Sequence, residues 1–179
     1  MKTLIALILT LGIVSCATSP SAQFYERKIP LNESALSWVL KDGNSVISGN
    51  SFIRDNLAIN QGPHTCAGYE VNLVPEDAYF KEALGLFFDN FENSFWDRNT
   101  QFYEYSLDDA ESKYTKQTTC DSQGNFEFRD VAEGNYYLIT AVSYEGGPFR
   151  TFPPTMKGGW LLKKIYVDGI SNQRVVVSR

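Results

Sequence analysis

The side chains best suited to chemistry in this sequence are three cysteines, Cys16, Cys66 and Cys120, and a single histidine, His64. His64 stands two residues before Cys66, and a Cys/His neighbourhood can serve a thiol nucleophile or a metal site. Two cysteines and one histidine without clustered carboxylates make a poor ligand set, so no metal is expected. Asp108, Asp109 and Glu111 gather acidic oxygens. They lack the alternating ligand pattern and the glycine of a calcium loop, and read as a solvated turn. There is no Gly-x-Ser-x-Gly, no His-Glu-x-x-His and no phosphate-binding glycine loop, and one histidine restricts acid–base catalysis. The expectation is a protein that is not an enzyme and carries no cofactor.

The surroundings of Cys16 give it a different role. Lys2 supplies a short basic start, and residues 4–14 form an uncharged apolar run, too short to span a bilayer but long enough for a signal sequence. Ile13-Val14-Ser15-Cys16 follows, and then the small, polar stretch 17–22. This arrangement resembles the bacterial lipobox. The resemblance implies cleavage before Cys16, a diacylglyceryl thioether on its sulfur, and two or three acyl chains holding the protein to a membrane. Ala17 after the cysteine resembles the outer-membrane pattern, so the expected place is the cell envelope, at the outer membrane, facing the periplasm or the cell surface. Assigning Cys16 to lipid leaves Cys66 and Cys120 as an even pair in an oxidising compartment, where a disulfide is the expected outcome. Such a bond closes a loop of about 55 residues and contributes on the order of 4 kcal/mol in a chain-entropy treatment.

Composition is that of a single globular domain. The chain has 179 residues, 43% hydrophobic and 21% charged, with 14% aromatic residues. Lys plus Arg number 16 against 21 Asp plus Glu, a net charge of -5 without any basic run, so a nucleic-acid partner is not expected. Residues 32–40 read as a short helix capped by Asn32 and ended at Asp42-Gly43. From Ser45 the pattern is β, with a bend or bulge expected at Gly49-Asn50. Glu70, Val71, Asn72, Leu73 and Val74 alternate and stop at Pro75. Between residues 77 and 91, Tyr79, Phe80, Ala83, Leu84, Phe87, Phe88 and Phe91 recur at helical spacing, with Asp77 as a cap. Residues 93–107 are aromatic and irregular. The span 77–109 therefore reads as a helical and aromatic insertion between strands. Residues 113–120 and 126–128 are strands around a turn in which Gly124 can take positive φ. Residues 136–142 are almost continuously apolar, as in a strand covered on both faces. A Gly/Pro-rich loop over 145–159 precedes closing strands at 160–167 and 173–177.

The string Thr119-Cys120-Asp121-Ser122-Gln123-Gly124-Asn125-Phe126-Glu127-Phe128, followed by Val131 and Glu133-Gly134-Asn135-Tyr136-Tyr137-Leu138, resembles the carboxypeptidase regulatory-like domain. That family's signature is a polar T-D-x-x-G-x-F-x-F turn and then V-x-x-G-x-Y. The resemblance spans residues 45–177, with the aromatic insertion as a departure, and Ile47-Ser48-Gly49 and the strand at 70–73 fit its opening strands. It implies a mainly β fold, an antiparallel transthyretin-like β-sandwich of about seven strands. The Cys66/Cys120 pair also resembles a group of envelope lipoproteins, in which the disulfide ties the start of one strand to the turn before another. The division that follows is a signal peptide at 1–15, a lipidated tether at 16–23, an N-terminal extension at 24–44 and the sandwich at 45–179. Enzymes that carry this domain hold their catalysis in a separate one, which is absent from these residues.

The expected function is a membrane-anchored, non-catalytic structural or protein-interaction module of the envelope, with envelope proteins as partners. The alternative is carbohydrate binding, of glycan or peptidoglycan, because transthyretin-like sandwiches resemble carbohydrate-binding folds in which exposed aromatics stack on sugar rings. The aromatics that would serve are Trp96, Tyr103, Tyr105, Phe149, Phe152 and Trp160. Packing under loops or against the sheet is the competing role for each of them.

Overall fold

The computed structural model describes residues 27–55, 62–99, 109–146 and 155–179. Asn32 starts the first helix, α1 (Glu33–Leu36), by accepting a hydrogen bond from the Ala35 amide at 3.2 Å on its side-chain oxygen. A 3₁₀ turn, Ser37–Leu40, continues it. Leu36 and Val39 are buried, and Trp38 meets the Tyr136 ring edge-on at 5.4 Å.

Nine strands form two sheets among the described residues. In the first, β1 (Ser45–Arg54) pairs antiparallel with β2 (Pro63–Thr65) and with β6 (Asn125–Val131). It pairs in parallel with β9 (Asn172–Ser178). The second sheet is antiparallel throughout. Its members are β4 (Asn93–Asp97), β8 (Thr155–Val167), β7 (Gly134–Gly146), β3 (Glu70–Pro75) and β5 (Lys116–Thr119), in that spatial order. Alternation decides the facing. Ile47, Leu73, Leu138, Leu161 and Val177 are at most 1% exposed and belong to one core cluster. The fold is a mainly β sandwich.

Part of the outer face of the second sheet is covered as well, by α2 (Ala78–Leu84) and the turns after it. Asp77 caps α2 by accepting from the Tyr79 amide at 2.8 Å, while Phe80 and Phe88 are buried and Phe91 lies 5.7 Å from the Tyr137 ring. This double cover explains why β7 is apolar at consecutive positions: Tyr137, Leu138 and Ile139 are all buried, on alternating faces.

Several sequence expectations change in detail. The helix expected over 77–91 ends at Leu84 with Gly85 as its cap, and single turns carry the aromatic spacing on to Phe88. Part of the irregular segment 93–107 is a strand, β4, which extends the second sheet beside β8. The expected loop over 145–159 is shorter, because β7 runs to Gly146 and β8 begins at Thr155. Gly49 makes no bend. It lies within a continuous β1, and a Cβ there would meet the Phe126 ring at 2.2 Å and the Val175 carbonyl oxygen at 2.6 Å, so close packing demands the glycine. The register shift in β1 falls instead between Ser45 and Ile47. The described residues form nine strands where about seven were expected, and the parallel β1–β9 pairing interrupts the antiparallel pattern. Glu111, read as part of a solvated turn, is 1% exposed in the short helix α3 (Asp109–Ser112) and pairs with Arg27.

Candidate functional site

Register places the aromatic candidates that can be described side by side. Trp96 on β4 lies directly opposite Trp160 on β8, and Trp160 lies directly opposite Ala141 on β7. Residues directly opposite across antiparallel strands share a face, so the two indoles project together from the outer surface of the sheet. Ala141 beside them is too small to cover either ring. Phe87, from the turns after α2, meets Trp96 edge-on at 5.3 Å and 84° and holds it in place. Trp160 stays 40% exposed, in a sheet whose other apolar side chains are mostly buried. The result is a two-ring platform, with one ring fixed against the body and one open to solvent.

The next row on the same face continues this surface. Arg98 follows Trp96 by two residues, and its backbone amide donates to the Gly158 carbonyl at 3.1 Å. Gly158 is directly opposite Ser143. The Arg98 guanidinium crosses the bare glycine and donates to the Ser143 hydroxyl. Gly158 has φ +110°, and a Cβ on it would sit 2.0 Å from the Val142 carbonyl oxygen. Only glycine fits there, which keeps the strip between Arg98 and Ser143 free of side chains.

Tyr103, Tyr105, Phe149 and Phe152 lie outside the described residues, as does Cys16. The strand ends that lead into 100–108 and 147–154 belong to the platform end of the sheet. Asp97, the last residue of β4, is opposite Gly159, and Gly146, the last of β7, is opposite Thr155.

Cys66 and Cys120 form the expected disulfide, with Cα atoms 5.8 Å apart, and both residues are buried. It joins the segment before β3 to the turn before β6. Backbone bonds reinforce it: Gly68 donates to the Cys120 carbonyl at 3.1 Å, and Cys120 donates to the Tyr69 carbonyl at 3.0 Å. In that turn the Asp121 carboxylate accepts from Asn125 and Gln123, and these hydrogen bonds hold its pKa below the ordinary value.

The His64 ring stacks on Tyr144 with centroids 3.7 Å apart and planes 2° apart. The Tyr144 hydroxyl donates to Asp55 at 3.1 Å, and Lys157 pairs with the same carboxylate at 3.3 Å. Burial, with the Asp55 contact, pushes the Tyr144 phenol up to about 12, so it stays protonated at neutral pH. Asp55 and His64 flank the first sheet, while Tyr144 and Lys157 face each other on β7 and β8. The four side chains thus tie the two sheets together.

No family model matches the chain, and no curated protein matches it. The fold has a counterpart among solved structures. A crystal structure from Pseudomonas aeruginosa, described as a "putative carbohydrate binding protein", aligns with a TM-score of 0.67 at 20% identity. The alignment covers 83% of this chain and 97% of that one. At this identity the likeness is one of fold.

Of the six aromatics read from the sequence, the structure joins Trp96 and Trp160. It adds Arg98, Ser143 and Gly158, which the sequence reading passed over. The available signal was positional: Arg98 follows Trp96 by two residues, and Gly158-Gly159 directly precedes Trp160. Without the β4–β8 register, those two stretches have no visible relation.

Proposed function

We propose that this protein is a non-catalytic glycan-binding module of the bacterial envelope, held to the membrane by lipid on Cys16, with Trp96 and Trp160 as its sugar-stacking surface. The observation that carries the reading is the in-register tryptophan pair, with Trp160 40% exposed and Trp96 braced by Phe87. A pyranose presents a face of C–H bonds, and the negative face of an indole attracts that positive edge while removing apolar surface from water. Trp96 and Trp160 stand directly opposite on adjacent strands, where facing Cβ atoms lie about 5 Å apart, so both indoles border one patch on the scale of a sugar ring and its neighbour.

Two further supports are independent of that geometry. The structural counterpart from Pseudomonas aeruginosa is described in terms of carbohydrate binding, and the Thr119 to Leu138 motif resembles the carboxypeptidase regulatory-like domain, with its transthyretin-like sandwich. The first expectation, a structural or protein-interaction module, ranks second because the described surface offers a specific aromatic platform.

The test is retention of the detergent-solubilised mature protein on immobilised glycans, peptidoglycan included, with wild type and Trp160→Ala side by side. The reading expects retention that Trp160→Ala loses, and equal flow-through of both proteins on every glycan would overturn it. Anchoring is tested separately. Cys16→Ser is expected to abolish metabolic labelling with a clickable fatty acid, and persistent labelling would place the anchor elsewhere.

A further inference from the structure

The platform does not end at its rings. One row further along the same face, Arg98 lies over Gly158 and donates to Ser143. A guanidinium has five N–H donors in a planar fork, and Ser143 takes only part of that capacity. Arg98 is exposed, so its remaining donors face solvent beside the indoles. Rows on one face of a strand are about 7 Å apart, the reach from a stacked sugar ring to a group carried on it or on the next sugar.

We propose that this site is built for an acidic saccharide: the ring stacks on Trp96 and Trp160, and Arg98 pairs with a sugar carboxylate. The inference rests on the glycan-binding reading and names its substrate class. Three features of the face support it. Arg98 is pre-positioned, because its backbone bonds to Gly158 and its side chain to Ser143, so little freedom is lost on binding. The approach is clear, because no residue but glycine fits at 158. The neighbouring acid, Asp97, alternates onto the opposite face of β4, where its carboxylate accepts from the Asn99 amide groups. Glu145 stands one row beyond Ser143, opposite Met156, and bounds the cationic strip on that side.

A planar carboxylate meets the guanidinium fork through two parallel hydrogen bonds, which neutral sugars cannot make. Discrimination therefore comes from charge at Arg98, and general affinity from the rings.

The experiment compares two probes of equal length: an oligogalacturonate, and the same oligomer with its carboxylates reduced to primary alcohols. Binding to the full, detergent-solubilised protein is measured by calorimetry at low and high salt. Wild type is expected to prefer the acidic oligomer by about tenfold or more, with the preference shrinking as salt rises. Arg98→Gln is expected to bring the two affinities to within about twofold of each other, and Arg98→Lys to restore part of the gap as a point charge without the fork. Equal binding of both oligomers by wild type, or a preference that survives Arg98→Gln, overturns the acidic-sugar inference and leaves the glycan reading standing. Binding of neither oligomer, with no retention on any immobilised glycan, overturns both.

Discussion

Arg27 and Glu111 are 84 positions apart in sequence and form an ion pair in which the Glu111 side chain is only 2% exposed. Arg27 also donates to the Tyr79 carbonyl at 2.8 Å, and its guanidinium lies 3.9 Å over the Tyr79 ring. Next along the chain, the amides of Lys28 and Ile29 donate to the Glu82 carboxylate at 3.0 and 2.9 Å. The segment that follows the proposed lipid tether is thereby fastened to α2 and α3. Arg27→Ala strips the guanidinium from a buried carboxylate, and a loss of about 3 kcal/mol is expected. A denaturant midpoint equal to that of wild type would show that the pair adds nothing.

The turn at Gly124 gives a second test. Its φ is +80°, and a Cβ would meet the Thr65 Cβ at 2.7 Å and the Ser51 carbonyl oxygen at 2.9 Å. Strain and collision therefore act together, so Gly124→Ala is expected to cost about 2 kcal/mol or more and Gly124→Val more still. A thermal midpoint unchanged in Gly124→Ala would mean the turn relaxes freely.

The Cys66–Cys120 bond links residues 54 apart. Replacing both cysteines by alanine is expected to lower stability by about 4 kcal/mol, most of it through the unfolded chain. Intact mass before and after reduction and alkylation reads the bond directly, and free thiols in the unreduced protein would contradict it.

Acid should loosen the contact between α2's entry and β8. Glu76 accepts from Lys164 at 2.7 Å and from the Tyr137 hydroxyl at 3.1 Å. The hydrogen bond from Lys164 holds its carboxyl below the ordinary value of 4.5 in the folded state. A depressed folded pKa gives stability that is present above the unfolded value and lost as pH falls through the folded one. Unfolding free energy is therefore expected to decline below about pH 4.5 more steeply in wild type than in Glu76→Gln. Parallel pH profiles for the two proteins would remove Glu76 from the account.

How much of this was legible depends on whether the signal is local. Period two at Glu70–Pro75, the Gly124 turn and the Phe126/Phe128 alternation are properties of adjacent residues, and each appears in the structure where the sequence places it. The pairing of Cys66 with Cys120 came from counting cysteines. The strand β4 was illegible because Phe95 and Trp96 are consecutive aromatics, which blurs alternation, and only pairing with β8 fixes their faces. Glu111 was misread for a similar reason: its burial depends on Arg27, a partner far away in sequence. Arg98 became visible only when the register set it beside Gly158 and Ser143.

The account turns on Trp160. Its ring is 40% exposed, so Trp160→Ala is expected to leave the thermal midpoint close to wild type. On calorimetric titration with the oligogalacturonate and its carboxyl-reduced form, the same variant is expected to lose about thirtyfold in affinity, the ~2 kcal/mol of a tryptophan that dominates a binding surface. Affinity for both oligomers within about twofold of wild type would contradict the claim that the tryptophan pair is the ligand surface.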